Sequence, residues 1–395
     1  MTPKIACLLT SPTFVGGTET ALYNAYYGFQ DLDVDVQAYA VRLSARSRWS
    51  NQALDYATPV SHQELLPILS EYDGVVLSNT YFPDKYVPRV ISDPALKHVK
   101  LTTGWHGNDV MKTMLEAHEI VKRSPMWSGK YVRFWENPLE DPDVQWVDSV
   151  LPYIYQPPKL MRMPTKARHY DLGFVGRVDP RKGAFGFAVA AATLAEQSAE
   201  GLRVLIAGAP NDLPGGPLIH TIRKMLEERG WILIKGGEKM KSTWTLRFNE
   251  STIHYSGGFQ YDEVPTILNR VKVYVNMTAT RASRNHFEYT TLEAFNAGCA
   301  VIAPDDVPKT MYDAKPEFIP AAMSAVNVLR NGRPIFNDMT KSAPVTYAPM
   351  VDCMRDALDL AKSRNAFWQE KNREVILQAH DATRAASAYL KALDL

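Results

Sequence analysis

Along most of this chain, short apolar runs alternate with longer stretches in which apolar residues recur every three or four positions. The runs predict buried strands at Lys4–Thr10, Val34–Val41, Gly74–Ser78 and Lys100–Thr103, with a fifth at Ser149–Tyr153, and Glu19–Phe29 has the period of a helix. Strands separated by helical stretches predict a parallel sheet with crossover helices. The proline-rich segment Gln156–Pro164 cannot continue a helix and predicts a boundary, giving one domain over 1–158 and a second from 159. The second domain repeats the pattern. Strands are expected at Tyr170–Gly176, Arg203–Gly208, Trp231–Ile234, Val271–Asn276 and Ala300–Ala303, with helices at Phe185–Gln197 and Pro217–Arg229. After Val351 the chain reads as helix to its end, with Leu358, Phe367, Val375, Ile376 and Leu390 among the apolar positions. The predicted class is α/β, with two Rossmann-like domains.

Size and charge narrow the function. A chain of 395 residues accommodates two domains of ordinary size. Lys and Arg number 44 against 43 Asp and Glu, a net charge of +1, which argues against a basic nucleic-acid coat or an acidic tail. No run approaches the ~20 apolar residues of a membrane span, and Met1–Thr10 reads as a strand rather than a leader. Cys7, Cys299 and Cys353 are scattered, which fits thiols in a reducing compartment better than a disulfide or zinc site. The expectation is a soluble, cytoplasmic protein with no membrane partner and no metal.

Candidate chemistry gathers at a few turns. Phe287–Ala303 reads as a loop entering a helix, turning at Gly298 and leaving into a strand. Thr290 and Thr291 can cap that helix, amides near Tyr289 and Thr290 favour an anion, and Glu293 in the first turn can accept hydrogen bonds from a sugar or ribose. An ordinary αβ unit with a surface glutamate has the same pattern. Gly176-Arg177 and Lys182-Gly183 bracket a basic turn after a strand, and its cations must face either an anion or solvent. Gly16 and Gly17 follow the first strand and let backbone approach a ligand, although the full Gly-x-Gly-x-x-Gly fingerprint of a dinucleotide enzyme is not there. In Trp105–Asp109, His106 can hydrogen-bond a hydroxyl, and Asp109 can orient or deprotonate one or merely cap the next helix. Arg42, Arg46 and Arg48 beside Trp49 form one basic patch, and Lys130 with Arg133 belongs to another; either can meet DNA phosphates or be a solvated face.

The order of these motifs resembles the retaining GT-B glycosyltransferases, the large family-4-like group. That resemblance implies parallel sheets facing a central cleft and a C-terminal helix, 376–395, crossing back to the first domain. It also implies an N-terminal acceptor domain and a nucleotide-sugar domain over 159–375, with no cofactor beyond the donor. Gly16, Gly17, Gly176, Arg177, Lys182, Tyr289, Thr290 and Glu293 would bind the donor. The family's two glutamates, with seven residues between them, fall on Asn285 and Glu293, so the first is replaced and Glu288 lies between them. Within the group, Phe287-Glu288-Tyr289-Thr290-Thr291-Leu292-Glu293 and the linker Tyr153–Pro158 are similar to the DNA α-glucosyltransferases of T-even-type phages. Those enzymes move glucose from UDP-glucose to 5-hydroxymethylcytosine in double-stranded DNA. The similarity implies His106, Asp109, Arg177 and Lys182 in catalysis, Glu288 near the donor, and Arg42, Arg46, Arg48, Lys130 and Arg133 on DNA. A glycan or lipid acceptor is the alternative within the same fold.

Overall fold

A computed structural model describes residues 2–10, 17–41, 56–78, 82, 86–105, 112–134, 141–147, 151, 163–179, 182–210, 212–213, 216–236, 243–259, 261–277, 289–304, 319–321, 329–330, 333–334, 348–363 and 366–395. The chain folds as two compact units, Met1–Gln156 together with Leu377–Leu395, and Pro157–Ile376.

The first unit is built on strands β1 (Lys4–Leu9), β2 (Asp35–Val41), β3 (Ala57–Val60), β4 (Gly74–Leu77), β5 (Lys100–Trp105), β6 (Lys130–Arg133) and β7 (Gln145–Val147). They form one sheet in the order β3-β2-β1-β4-β5-β6-β7, every neighbouring pair parallel. Helices α1 (Gly17–Asp31), α2 (His62–Leu69), α3 (Tyr86–Ile91) and α4 (Lys112–Lys122) connect the strands. β1 shows why an unbroken apolar run is a strand here. Ile5, Cys7 and Leu9 enter one core with Leu22, Ala25 and Phe29 of α1, while Ala6 and Leu8 enter another with Leu65 and Leu69 of α2. A strand covered on both faces needs apolar residues at every position. Burial also pushes the Cys7 thiol up, so it stays protonated.

The C-terminal helix Ala382–Leu393 belongs to this unit and packs on α1. Asp381 caps it by accepting from the Thr383 N–H at 2.8 Å. The two helices pass so closely that a Cβ on Gly28 would overlap the Ala382 carbonyl. Ala385, Ala388 and Leu393 complete the α1 core.

α4 is fixed to the sheet by a buried polar network. His118 lies 2.8 Å from the Tyr131 hydroxyl through Nδ1 and 2.8 Å from Asp141 Oδ2 through Nε2, and Lys122 Nζ reaches the same oxygen at 2.8 Å. Among the described residues His118, Glu119 and Asp141 are grouped closely enough for a metal, but Lys122 already supplies the cation. Its hydrogen bond, then that of His118, holds the Asp141 carboxyl well below the usual carboxylate range. A depressed carboxyl stabilises the fold above its unfolded pKa, about 3.9, and that contribution is lost as pH falls through the folded value. The urea midpoint should therefore fall more steeply below about pH 4 in the wild type than in Asp141→Asn. Parallel acid slopes would remove the network from the account.

The second unit carries β8 (Tyr170–Val175), β9 (Arg203–Ala207), a separate hairpin of β10 (Asp212–Leu213) and β11 (Gly216–Pro217), β12 (Ile232–Gly236), β13 (Trp244–Phe248), β14 (Ser251–Gly257), β15 (Val271–Val275), β16 (Ala300–Pro304) and β17 (Ile319–Ala321). Its main sheet runs β12-β13-β14-β9-β8-β15-β16-β17. β12, β13 and β14 pair antiparallel; all the other pairs are parallel. The helices are α5 (Ala184–Gln197), α6 (Leu218–Glu228), α7 (Val264–Asn269), α8 (Tyr289–Asn296), α9 (Ala348–Ser363) and α10 (Ala366–Ala379). From β8 the chain moves outward to β9, then returns to add β15 on β8's other side. That reversal leaves a crevice beyond the carboxyl ends of β8 and β15, the usual ligand position in open α/β sheets.

The architecture is the expected α/β one, with differences in detail. The strand expected at Ser149–Tyr153 lies outside the described residues except at Leu151, and the sheet continues instead through β6 and β7. The antiparallel edge of the second sheet was not expected either.

Candidate active site

The β8 carboxyl end passes into Gly176-Arg177-Val178-Asp179, and this turn lies against the segment that follows β9. The Gly176 N–H donates to the Ala207 carbonyl and the Val178 N–H to Ala209, each at 2.9 Å, while the Gly208 N–H donates to Gly257 at 2.8 Å. Turns from three neighbouring parallel strands are thus held together by backbone. Gly208 has φ 154°, and a Cβ there would overlap the Gly176 carbonyl oxygen. Fully buried Tyr255 donates its hydroxyl to the Gly208 carbonyl at 3.1 Å. Burial pushes that phenol up to about 12, so it remains a donor at neutral pH. Where Gly176 would carry a Cβ, no atom of the described residues outside its chain neighbours lies within 4 Å.

Arg177 is nearly half exposed, and its Nε lies 3.5 Å from Oδ2 of buried Asp179. The Asp179 carbonyl in turn accepts from the Lys182 N–H at 3.1 Å. Gly183 then starts α5 in the left-handed region, φ 75°, where a Cβ would overlap the Met277 carbonyl. α5 is alanine-rich and buried on almost every side, so this approach is fixed by close packing.

Met277 and Asn276 follow β15. Asn276 is buried; its N–H donates to the Ile302 carbonyl at 2.9 Å, and its Nδ2 donates to Thr291 Oγ1 at 3.2 Å. The β8 turn therefore touches the end of β15, which is bonded to the start of α8. Gly183, Met277, Asn276 and Thr291 are thereby linked by close approach and hydrogen bond. Glu293 is only 4% exposed.

Two expectations about α8 are corrected. The described helix already includes Tyr289, so Thr290 and Thr291 lie inside it instead of capping it, and Glu293 falls beyond its first turn. The Thr291 hydroxyl accepts from Asn276 Nδ2. Sequence reasoning also passed over Asp179, Gly208, Gly257 and Asn276. The signal for the glycines was present, because Gly176, Gly208 and Gly257 stand at the carboxyl ends of three parallel strands.

Other candidates are placed elsewhere or not described. Gly17 opens α1 after β1, and Gly16, Arg42, Arg46, Arg48, His106, Asp109 and Glu288 lie outside the described residues. Lys130 forms an ion pair with Asp394, its charge held within its own unit. Arg133 is half-buried on β6, registered against Trp105 of β5.

Residues 163–312, which contain this whole site, match the Glycosyl transferases group 1 family. That stretch is similar to a glycosyltransferase group 1 domain. No curated protein matches the chain in sequence. Solved structures resemble it along its full length. An α-glucosyltransferase in complex with UDP-glucose and DNA containing an abasic site superposes with a TM-score of 0.65 at 13% identity, covering 100% of both chains. An α-glucosyltransferase with UDP and a 13-mer DNA containing a HMU base gives 0.64 at 13%, again over 100% of both. A mutant of S. aureus TarM in complex with fondaparinux, α-GlcNAc-glycerol and UDP gives 0.61 at 10%, covering 99% of this chain and 100% of the other. At these identities the likeness is one of fold, and the fold around the group 1 domain is GT-B. No helix among the described residues is long and apolar enough to cross a membrane.

Proposed function

We propose that this protein is a retaining hexosyltransferase that moves glucose from UDP-glucose onto a hydroxymethylated pyrimidine in duplex DNA. The observation that carries the reading is the Gly176 backbone, where a Cβ would meet no described atom within 4 Å, in the turn that bears Arg177 and Lys182 after β8. Such a turn suits a diphosphate leaving group, whose charge grows as the glycosidic bond breaks. Arg177 and Lys182 would compensate that charge, amides at Tyr289 and Thr290 would assist, and Glu293 would accept from the donor's ribose or sugar hydroxyls. The bond from C1 to the β-phosphate oxygen breaks with its electron pair going to UDP, and C1 joins the acceptor oxygen on the same face. The acceptor proton passes to the departing phosphate. His106 and Asp109 would orient the acceptor hydroxyl from the first unit, which would be the acceptor domain, with Glu288 near the donor.

The DNA acceptor is supported by the full-length likeness to α-glucosyltransferases seen with DNA and by the Phe287–Glu293 motif. Arg42, Arg46, Arg48 and Arg133 are the basic residues proposed to meet phosphates; ion-paired Lys130 is the weakest member of that set. A glycan acceptor is the second reading, favoured by the likeness to TarM with its GlcNAc-glycerol. Incubation with labelled UDP-sugars and either hydroxymethylated or unmodified duplex DNA, followed by digestion and mass analysis of nucleosides, tests the choice. A hexose-shifted hydroxymethyl nucleoside is expected. Transfer only to oligosaccharide or lipid would replace the DNA reading with the second one.

A further inference from the structure

Met163, the first described residue of the second unit, and α10, its last helix, are both tied to the same end of α8. The first connection between the units enters the second unit at Pro157. Beyond it, the Met163 N–H donates to Asn269 Oδ1 at 2.7 Å and its carbonyl accepts from Arg168 Nε at 3.3 Å. Arg168 is 1% exposed, and its other donors reach neutral acceptors: the Val271 carbonyl at 2.7 Å, the Ala297 carbonyl at 2.5 Å and Cys299 Sγ at 3.5 Å. The second connection leaves the unit at Ile376 along α10. On that helix Arg373 Nε donates to Oδ1 of Asn296, the last residue of α8, at 2.9 Å.

The way α8 ends explains why arginines suit it. Gly298, φ 73°, allows the Cys299 N–H to reach the Ala294 carbonyl and the Gly298 N–H to reach Phe295, each at 2.9 Å. That Schellman arrangement satisfies two of the terminal carbonyls. The Ala297 carbonyl is taken by Arg168 and the Asn296 side chain by Arg373, so two cations stand at the negative end of the helix dipole. Seven of the eight α8 residues are buried. A two-turn helix packed this tightly moves as a unit, so a displacement of its first turn reaches its last.

We propose that Arg168 and Arg373 are positioning residues that couple occupancy at the start of α8 to the two connections, one arginine to each. The proposal rests on the donor reading above. Hydrogen exchange of the full chain with and without UDP tests both. In the wild type, UDP should slow exchange in peptides covering 176–183 and 289–293, and also in those covering 157–165 and 370–380. Arg373→Met should keep the first two effects, abolish most of the slowing at 370–380, and weaken UDP binding by about 5- to 10-fold. Arg168→Lys should act on 157–165 in the same way. Asn296→Asp keeps the acceptor and should behave like the wild type. Arg373 is partly exposed, so its variant is expected to fold even where Arg168→Lys is not. Unchanged slowing at 370–380 in Arg373→Met would overturn the coupling and leave the donor reading standing. If UDP slowed exchange nowhere in the wild type, the donor reading would fall and the coupling with it.

Discussion

Lys182→Ala is expected to lower kcat/KM for UDP-glucose by about 10²–10³-fold, with little change in thermal stability. The variant retains the backbone bond of this turn, from the Lys182 N–H to the Asp179 carbonyl. What alanine removes is a cation at the point where charge develops on the departing diphosphate. Arg177→Ala should show a loss of similar size together with a stability cost of about 1–2 kcal/mol, because it also removes a cation from beside buried Asp179. Steady-state kinetics with saturating acceptor, UDP calorimetry and thermal unfolding separate the two effects. If both variants turn over donor like the wild type, the basic turn is a solvated surface feature and the catalytic assignment fails.

The parts of the site that were legible in the sequence are those written in consecutive residues. Tyr170–Val175 followed by Gly176-Arg177 and Lys182-Gly183 announces a buried strand and a turn after it, because glycines and cations stand where an apolar run stops. Gly298 likewise announces the end of α8. What was not legible depends on partners distant in the chain. Gly208 looks like any strand-ending glycine until the Gly176 carbonyl is found beside it, and Asn276 acquires a role only through Thr291. Strands were missed where they are short or polar. β6 is Lys-Tyr-Val-Arg and β3 is Ala-Thr-Pro-Val, too brief for a period to show. The β13–β14 hairpin alternates, but its turn at Asn249-Glu250 lacks the usual glycine and relies on Asn249 adopting φ 49°.

Gly208→Ala is expected to destabilise the second unit by roughly 3–5 kcal/mol and to abolish UDP binding, whereas Gly176→Ala should cost only about 1–2 kcal/mol. The comparison is informative because the two glycines have almost the same φ, 154° and 153°. Conformational strain from a methyl group is therefore common to both and cancels. The difference lies in what that methyl meets: at Gly208 it would overlap the Gly176 carbonyl, and at Gly176 it meets nothing within 4 Å among the described residues. To accommodate it at Gly208, the β8 and β9 turns must separate, breaking the bonds from Gly176 to Ala207 and from Tyr255 to Gly208. At Gly176 the fold survives, but the methyl projects into the space assigned to the diphosphate, so UDP affinity should still fall. Denaturant unfolding and UDP calorimetry on the two variants measure both quantities. Equal destabilisation would mean that backbone conformation alone requires glycine at 208, and an unchanged UDP affinity in Gly176→Ala would move the diphosphate away from this turn.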